Sequence, residues 1–274
     1  MGYHPSMKLA GYLHVHSTYS YDGKVSLADL KQGLVARGVD FVCLTEHTDW
    51  LTQEKYQAFF RECQALSDEK ILLIPGLEVS FPDAHIILAG LSEGIDPRLE
   101  PTELVKQGHA QGAFVVFAHP HRSQFRAPTG IEPYLQGIEI WNGQYDGKRV
   151  PRPAAWSYRD QLAKQRKDQL FVTAGADFHR WSHLPGPGLE VEAEERTPQS
   201  ILRALHEGRY TIAGQRLTLA SDASLDTYPH PLRLRLVSTV TLQFIRLARS
   251  VNALLKRWNI SLPKSLLERI RGRV

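Results

Sequence analysis

Leu13-His14-Val15-His16-Ser17 is the stretch on which the reading of the chain turns. Apolar residues lead into it, so it closes a strand over residues 9–16. Side chains alternate along a strand, and His14 and His16 therefore leave the same face. Two imidazoles aimed at one point can share a metal ion. Ala176-Asp177-Phe178-His179 repeats the spacing far downstream, with a carboxylate in place of one imidazole. Between the two lie Thr45-Glu46-His47, Gly76-Leu77-Glu78, His85 and Ala118-His119-Pro120.

Working outward, apolar runs predict six more strands, over residues 40–45, 71–74, 85–91, 113–118, 137–141 and 170–176. Helical spacing predicts helices over 26–37, 52–66, 102–111, 153–167 and 198–207. Ser26 can cap the first of these, and Gly38 ends it. Strands that mostly alternate with helices form a parallel sheet with the helices outside it. Seven such strands can close into a distorted (β/α) barrel. Metal-competent residues then recur at strand C-terminal ends, where barrel active sites are built. The rival architecture is an open doubly wound sheet, but no Gly-rich phosphate loop follows any strand.

The length of 274 residues allows one large domain with an extension, which we place at 1–215 and 216–274. Hydrophobic content of 42% and charged content of 23% argue against a disordered, collagen-like or coiled-coil chain. Cys43 and Cys63 both sit among apolar neighbours, so they read as buried thiols rather than a disulfide. With no apolar run at the N-terminus and no stretch long enough to span a bilayer, the expected location is the cytoplasm.

Charge is unevenly placed. Residues 230–274 hold ten basic side chains and only Glu268 as an acid, for +9. The remainder holds 23 basic and 28 acidic residues, for −5. A negative body suits a cation site, and a positive tail suits an anionic partner. Leu236, Val240, Ile245, Leu247, Val251, Leu254, Leu255 and Trp258, interleaved with Arg246, Arg249, Lys256 and Arg257, predict a basic amphipathic helix. An extended start is expected over 233–237. Packing on the barrel is the first use for this helix. Contact with an anionic membrane surface or guidance of a nucleic acid are the others.

Hydrolysing a phosphate ester at neutral pH requires a nucleophilic water and stabilised negative charge. Two or three divalent ions held close together supply both. A mixed set of histidines and carboxylates suits Mn, Zn or Fe and admits Mg. In chain order, His14-x-His16, Asp22 in Tyr21-Asp22-Gly23, Glu46-His47, Gly76-x-Glu78, His85, Ala118-His119-Pro120 and Asp177-x-His179 resemble the motifs of the polymerase-and-histidinol-phosphatase (PHP) family, across residues 9–215. The resemblance implies a distorted seven-stranded barrel with a trinuclear metal site. His14, His16, Glu78 and Asp177 would hold one ion, and Glu78 would bridge to a second held also by His85 and His119. Asp22, His47 and His179 would hold the third. The span from His85 to His119 leaves no room for the helical insertion of some nucleotide-hydrolysing members, and the chain is far too short for a replicative polymerase.

Taken singly, these residues have plainer readings. His85 alone would be a core histidine, Asp22 a turn residue, and Glu46 and Asp49 loop polar groups or partners orienting His47. Together they would be too costly to bury without a metal. Arg122 and His121 follow His119-Pro120 into the same mouth. Arg122 has the geometry to grip a phosphate, and His121 to protonate a leaving oxygen; a solvated loop is the competing reading for both. Arg180 and Asn142 are further substrate candidates, with Lys148, Arg149 and Arg152 on the loop after the sixth strand. His4, His109, His183, His206 and His230 fit no pattern and read as structural or surface residues.

The expected function is hydrolysis of a phosphomonoester, a small molecule or nucleotide, by a metal-activated water, with Asp177, His121 and Arg122 as catalytic groups. The alternatives are a phosphodiesterase or exonuclease on nucleic acid, a metal-binding interaction module without catalysis, and an amidohydrolase-like hydrolase of C–N bonds. The intact donor set weighs against the module. The lack of a strand-borne Lys to bridge metals weighs against the C–N hydrolase.

Overall fold

The computed structural model describes residues 6–166, 169–215, 217–224 and 231–258. Its architecture follows from how strand β1 (Met7–Val15) divides its partners. The first half of β1 pairs antiparallel with β8 (Gly188–Ala193), from Met7 opposite Ala193 to Gly11 opposite Leu189. Its second half pairs parallel with β2 (Phe41–His47). One ten-stranded sheet results. After β2 come β3 (Leu72–Ser80), β4 (His85–Ala89), β5 (Phe114–Ala118), β6 (Gly137–Asn142) and β7 (Phe171–Gly175). Beyond β8 lie β9 (Tyr210–Ala213) and β10 (Thr218–Ala220).

The sheet curls until its far edge returns to β1. Ala176 N donates to Leu13 O at 3.4 Å, Phe178 N to His14 O at 3.2 Å, and His16 N to Phe178 O at 2.9 Å. The result is a mixed α/β fold around a nearly closed, barrel-like sheet. All seven predicted strands are present, but the described residues hold ten. β8 carries a half-buried alternating sequence, Gly-Leu-Glu-Val-Glu-Ala, that was not read as a strand. β9 and β10 are too short to show a period, and β10 lies past residue 215, where the sequence places the barrel's end.

The sheet is not uniformly parallel either. β4 runs antiparallel to both β3 and β5. Only residues 81–84 separate β3 from β4, a connection too short for a parallel crossover. β3 also continues past Ile74 through Pro75. That proline gives up a donor but uses its carbonyl, which accepts from Gly90 N at 3.0 Å and Leu91 N at 2.9 Å.

Helices α1 (Leu27–Val35), α2 (Gln53–Leu66), α3 (Pro101–Ala110), α4 (Pro153–Arg166) and α5 (Pro198–His206) follow the predicted segments. Ser26 caps α1 by accepting from Asp29 N, and Thr52 caps α2 by accepting from Lys55 N, each at 3.2 Å. Cys43 and Cys63 are buried and unpaired. The last helix, α6 (Pro231–Arg257), is helical through 233–237, where an extended start was expected. Proline is favoured in the first helical turn, and nothing after it interrupts the helix. Helix α6 lies against α4, with Val237 packed on the core and Ser238 buried. No described helix is long and apolar enough to cross a membrane. His4, His230 and the predicted tail beyond Trp258 lie outside the described residues.

Candidate metal centre

Glu78, near the C-terminal end of β3 and 1% exposed, stands at the centre of five imidazoles. Its Oε1 lies 2.7 Å from His85 Nδ1 and 2.9 Å from His119 Nε2. Its Oε2 lies 3.1 Å from His47 Nδ1, 3.2 Å from His14 Nε2 and 3.3 Å from His16 Nε2. Asp177 Oδ1 is 3.6 Å from His14 Nε2, 3.7 Å from His16 Nε2 and 3.5 Å from His179 Nδ1. Asp22 meets His179 Nε2 at 3.0 Å and His47 Nε2 at 3.6 Å. The nine residues predicted from seven separate segments thus converge.

The backbone bends to achieve this. His14, His119 and Asp177 have φ of 69°, 27° and 48°, the left-handed region that costs a non-glycine residue free energy. All three sit where β1, β5 and β7 deliver their side chains, and the bonds that close the sheet onto β1 hold two of these turns. Close packing also demands Gly175. A Cβ there would lie 2.7 Å from His14 Cβ and collide with the Glu139 carboxylate.

Glu139, on β6 and fully buried, carries no role in the sequence reading. Its Oε1 meets His14 Nδ1 at 2.9 Å, and its Oε2 accepts from His119 N at 2.7 Å and Asn142 Nδ2 at 2.9 Å. The sequence signal was available: a lone acid inside the apolar strand Gly137-Ile138-Glu139-Ile140-Trp141. Glu46, expected to be a loop group or a partner of His47, is a fully buried strand residue. It accepts from Ser17 N at 2.9 Å, Ser17 Oγ at 2.6 Å and Ser20 Oγ at 2.5 Å. Ser20 Oγ in turn lies 3.2 Å from His16 Nδ1 and accepts from His47 N at 3.0 Å. Asp49 is exposed and accepts from Ser80 Oγ, as a loop group would.

This network assigns protons. Ser20 spends its one hydroxyl proton on Glu46, so His16 Nδ1 must donate to Ser20 and Nε2 is left bare. Glu139 accepts from His14 Nδ1 in the same way and frees Nε2 of His14. Bare nitrogens then face the Glu78 carboxylate across little more than 3 Å, an arrangement that calls for a cation between them. Without a cation the carboxylates draw a proton to His14 in its place: burial opposes charge there, but Glu78, Asp177 and Glu139 outweigh it and raise its pKa well above the ordinary value. Burial opposes the Glu78 carboxylate too, and the histidines, His14 foremost, hold it well below the usual range. Burial dominates at His47 and pushes it down to about 4, so that this imidazole is neutral at pH 7.

The donor set fits divalent metal ions on an independent count. His14 Nε2, His16 Nε2, His47 Nδ1, Glu78 Oε2, His119 Nδ1, His179 Nε2 and Asp22 Oδ1 are buried atoms without a hydrogen-bond partner. Such atoms are rare and costly in folded proteins unless something else satisfies them. Four groups bring ligand atoms within 4.8 Å of one another: His14-His16-Glu78, His47-Glu78-His85, His14-His119-Asp177 and His16-His47-His179.

The cluster floors a cavity of about 480 Å³. Lys24, Arg122 and Arg180 bring positive charge to its wall, beside Tyr21, Tyr145 and His183. Arg122 and Arg180 therefore reach the mouth as predicted. His121 does not line it; its ring lies 4.7 Å from that of Tyr145. The cause is the 3₁₀ turn over Pro120–Ser123, which sends successive side chains about 120° apart. Asn142 is fully buried, and its amide donates to Glu139 and, at 3.2 Å, to Asp177 Oδ2. It braces Asp177 rather than facing the cavity. Lys148 and Arg152 are likewise committed elsewhere, to Ser182 and Leu184 carbonyls and to Asp146, and neither they nor Arg149 line the cavity. His183, read as structural, lies on the wall and accepts from Arg180 Nε at 2.8 Å. Lys24 was also missed; nothing in its local sequence marks it.

Residues 12–216 match the PHP domain family. The chain belongs to the PHP family. A protein of Thermotoga maritima named as a probable histidinol-phosphatase is 32% identical to this PHP protein over 216 residues, covering 67% of this chain and 89% of its own. The fold is similar to a two-domain protein of Bacteroides vulgatus containing a predicted PHP-like metal-dependent phosphoesterase, with a TM-score of 0.61 and 21% identity over 79% of this chain and 67% of that one. It is also similar to PsfC of Pseudomonas syringae, with a TM-score of 0.51 and 16% identity over 86% and 98% of the two chains. This PHP protein is a metal-dependent phosphoesterase, a hydrolase of phosphate esters. The non-catalytic module and the C–N hydrolase weighed from the sequence are thereby set aside.

Proposed function

We propose that this PHP enzyme removes a terminal phosphate from a small-molecule or nucleotide phosphomonoester at a trinuclear site. The observation that carries the reading is the division of Glu78: one oxygen faces His85 and His119, the other faces His14, His16 and His47. A carboxylate so placed suits two ions at once. His14, His16, Glu78 and Asp177 would hold the first ion, and Glu78, His85 and His119 the second. Asp22, His47 and His179 would hold the third, with Mn, Zn or Fe as the suited metals and Mg admissible. Divalent ions there would supply Lewis acidity to activate water and offset phosphoryl charge.

The chain's own residues do the rest. Lys24, Arg122 and Arg180 place three cations around the cavity wall, matched to the dianion of a terminal phosphate rather than the single charge of a diester. Asn142 and Glu139 hold Asp177 and His14 in place. The cavity volume lies within the range of small-molecule sites. The kinship with a probable histidinol-phosphatase supports a monoester. We read β1–β7 as the seven-stranded ring, with β8–β10 appended to β1. Residues 1–215 and 216–274 remain our division into barrel and extension, with β10, a strand of the sheet, on the extension side of the boundary. The two buried free thiols support a reducing, cytoplasmic setting.

The test is phosphate release by Mn-loaded protein from a panel of phosphomonoesters, with diesters followed alongside by product chromatography. Turnover of monoesters that is lost on chelation is the expected result. Cleavage confined to diesters or oligonucleotides would overturn the monoester assignment.

A further inference from the structure

Among the described residues, ten large apolar side chains are exposed; six of them lie on α6 and a seventh, Trp258, follows it directly. From Val240 they fall at Phe244, Leu247, Val251, Leu254 and Trp258, at alternating spacings of four and three; Leu236 precedes them by one more turn. At 100° per residue all seven fit within an arc of about 80° on the helix surface. Ser238 and Ile245, on the side toward the body, lie opposite. A stripe this narrow with a heptad period is the seam of a coiled coil, not the broad apolar face of an interfacial helix.

The exposed area of these side chains is on the order of 800 Å², taking roughly 150–250 Å² for each when fully exposed. That exceeds the largest apolar patch of an ordinary monomer, and it equals what one partner buries in a standard interface of about 1,600 Å². Elsewhere the described residues offer only Met7, Tyr21 and Trp50 as exposed large apolar groups, so the body has no matching patch. Charge is arranged to permit self-pairing. Residues 231–258 hold six basic residues and no acid. Yet through the middle of the seam the flanking positions are uncharged, Val237, Gln243, Ala248, Ser250 and Leu255; in sequence Arg233 falls on the same heptad line before Val240, and Arg257 flanks the far end. Arg246 lies about a third of a turn away from the seam.

We propose that α6 pairs through this stripe with α6 of a second copy of the chain, forming a two-helix coiled coil that joins two enzymes. A two-fold pairing needs only this one self-complementary surface. The inference does not depend on which phosphate ester is the substrate.

Sedimentation velocity and light scattering on the full chain, at up to about 100 µM, test it. The wild type is expected to sediment as a dimer. Leu247→Glu with Leu254→Glu is expected to sediment as a monomer, with circular dichroism and turnover unchanged. A monomeric wild type across that range would overturn the proposal, and so would a double variant that stays dimeric. Co-pelleting of monomeric chain with phosphatidylglycerol–phosphatidylcholine vesicles would also overturn it, in favour of a membrane partner.

Discussion

Glu78 faces five imidazoles from four strand ends and a loop, and a carboxylate alone cannot satisfy them. The residues beneath decide how well those imidazoles are aimed. Glu139 has the clearest such role, because one carboxylate fixes the His14 ring, the His119 backbone and Asn142 together. Glu139→Gln keeps the shape but sets an amide donor against donors on Asn142 or His119 and weakens the hold on His14. We predict a loss of metal affinity of about 10–100-fold, measured by competition with a chromogenic chelator, together with a lower thermal midpoint of the metal-loaded protein. Unaltered affinity would mean that the His14 ring is held without Glu139. The nine donors were legible in the sequence because a metal cluster admits few residue types, and their motifs stand out against apolar strands. Glu139 is marked in the sequence as a lone acid in an apolar strand, but its partner His14 comes from a distant segment, and nothing local marks His183 as part of the cavity wall.

At the level of elements, the fold is a device for turning strand ends toward one point. β1, β2, β3, β4, β5 and β7 each carry or deliver part of the donor set, and three of these turns adopt the left-handed backbone. Ser26, Thr52 and Thr197 cap the starts of α1, α2 and α5. Thr52 Oγ1 accepts from Lys55 N at the start of α2. Thr52→Ala should cost about 1 kcal/mol of stability, read from the urea midpoint at unchanged slope, without altering turnover. A change below a few tenths would mean that the cap is replaced by solvent. Strands with an unbroken apolar run, such as residues 41–44 of β2 and all of β5, announce themselves in the sequence. β9 and β10 do not, since four and three residues show no period. The reversal of β4 lay in the length of one turn, which a reading by alternation passes over. The first turn of α6 was misread as extended because the proline before it was not taken as a helix start.

Across the whole molecule, sheet closure and the metal centre are one event. The hydrogen bonds that return the segment after β7 to β1 bring Asp177 and His179 to His14 and His16, so binding energy at the centre is also folding energy. An acidic body with buried carboxylates suits the cation site, while α6 exposes an apolar stripe. The most direct test of the account is metal content by mass spectrometry, with phosphomonoester turnover assayed on the same sample before and after exhaustive chelation. The account predicts two to three divalent ions per chain, and turnover that is lost with them and returns on adding Mn. Protein that retains no metal and turns over equally well in chelator would contradict it.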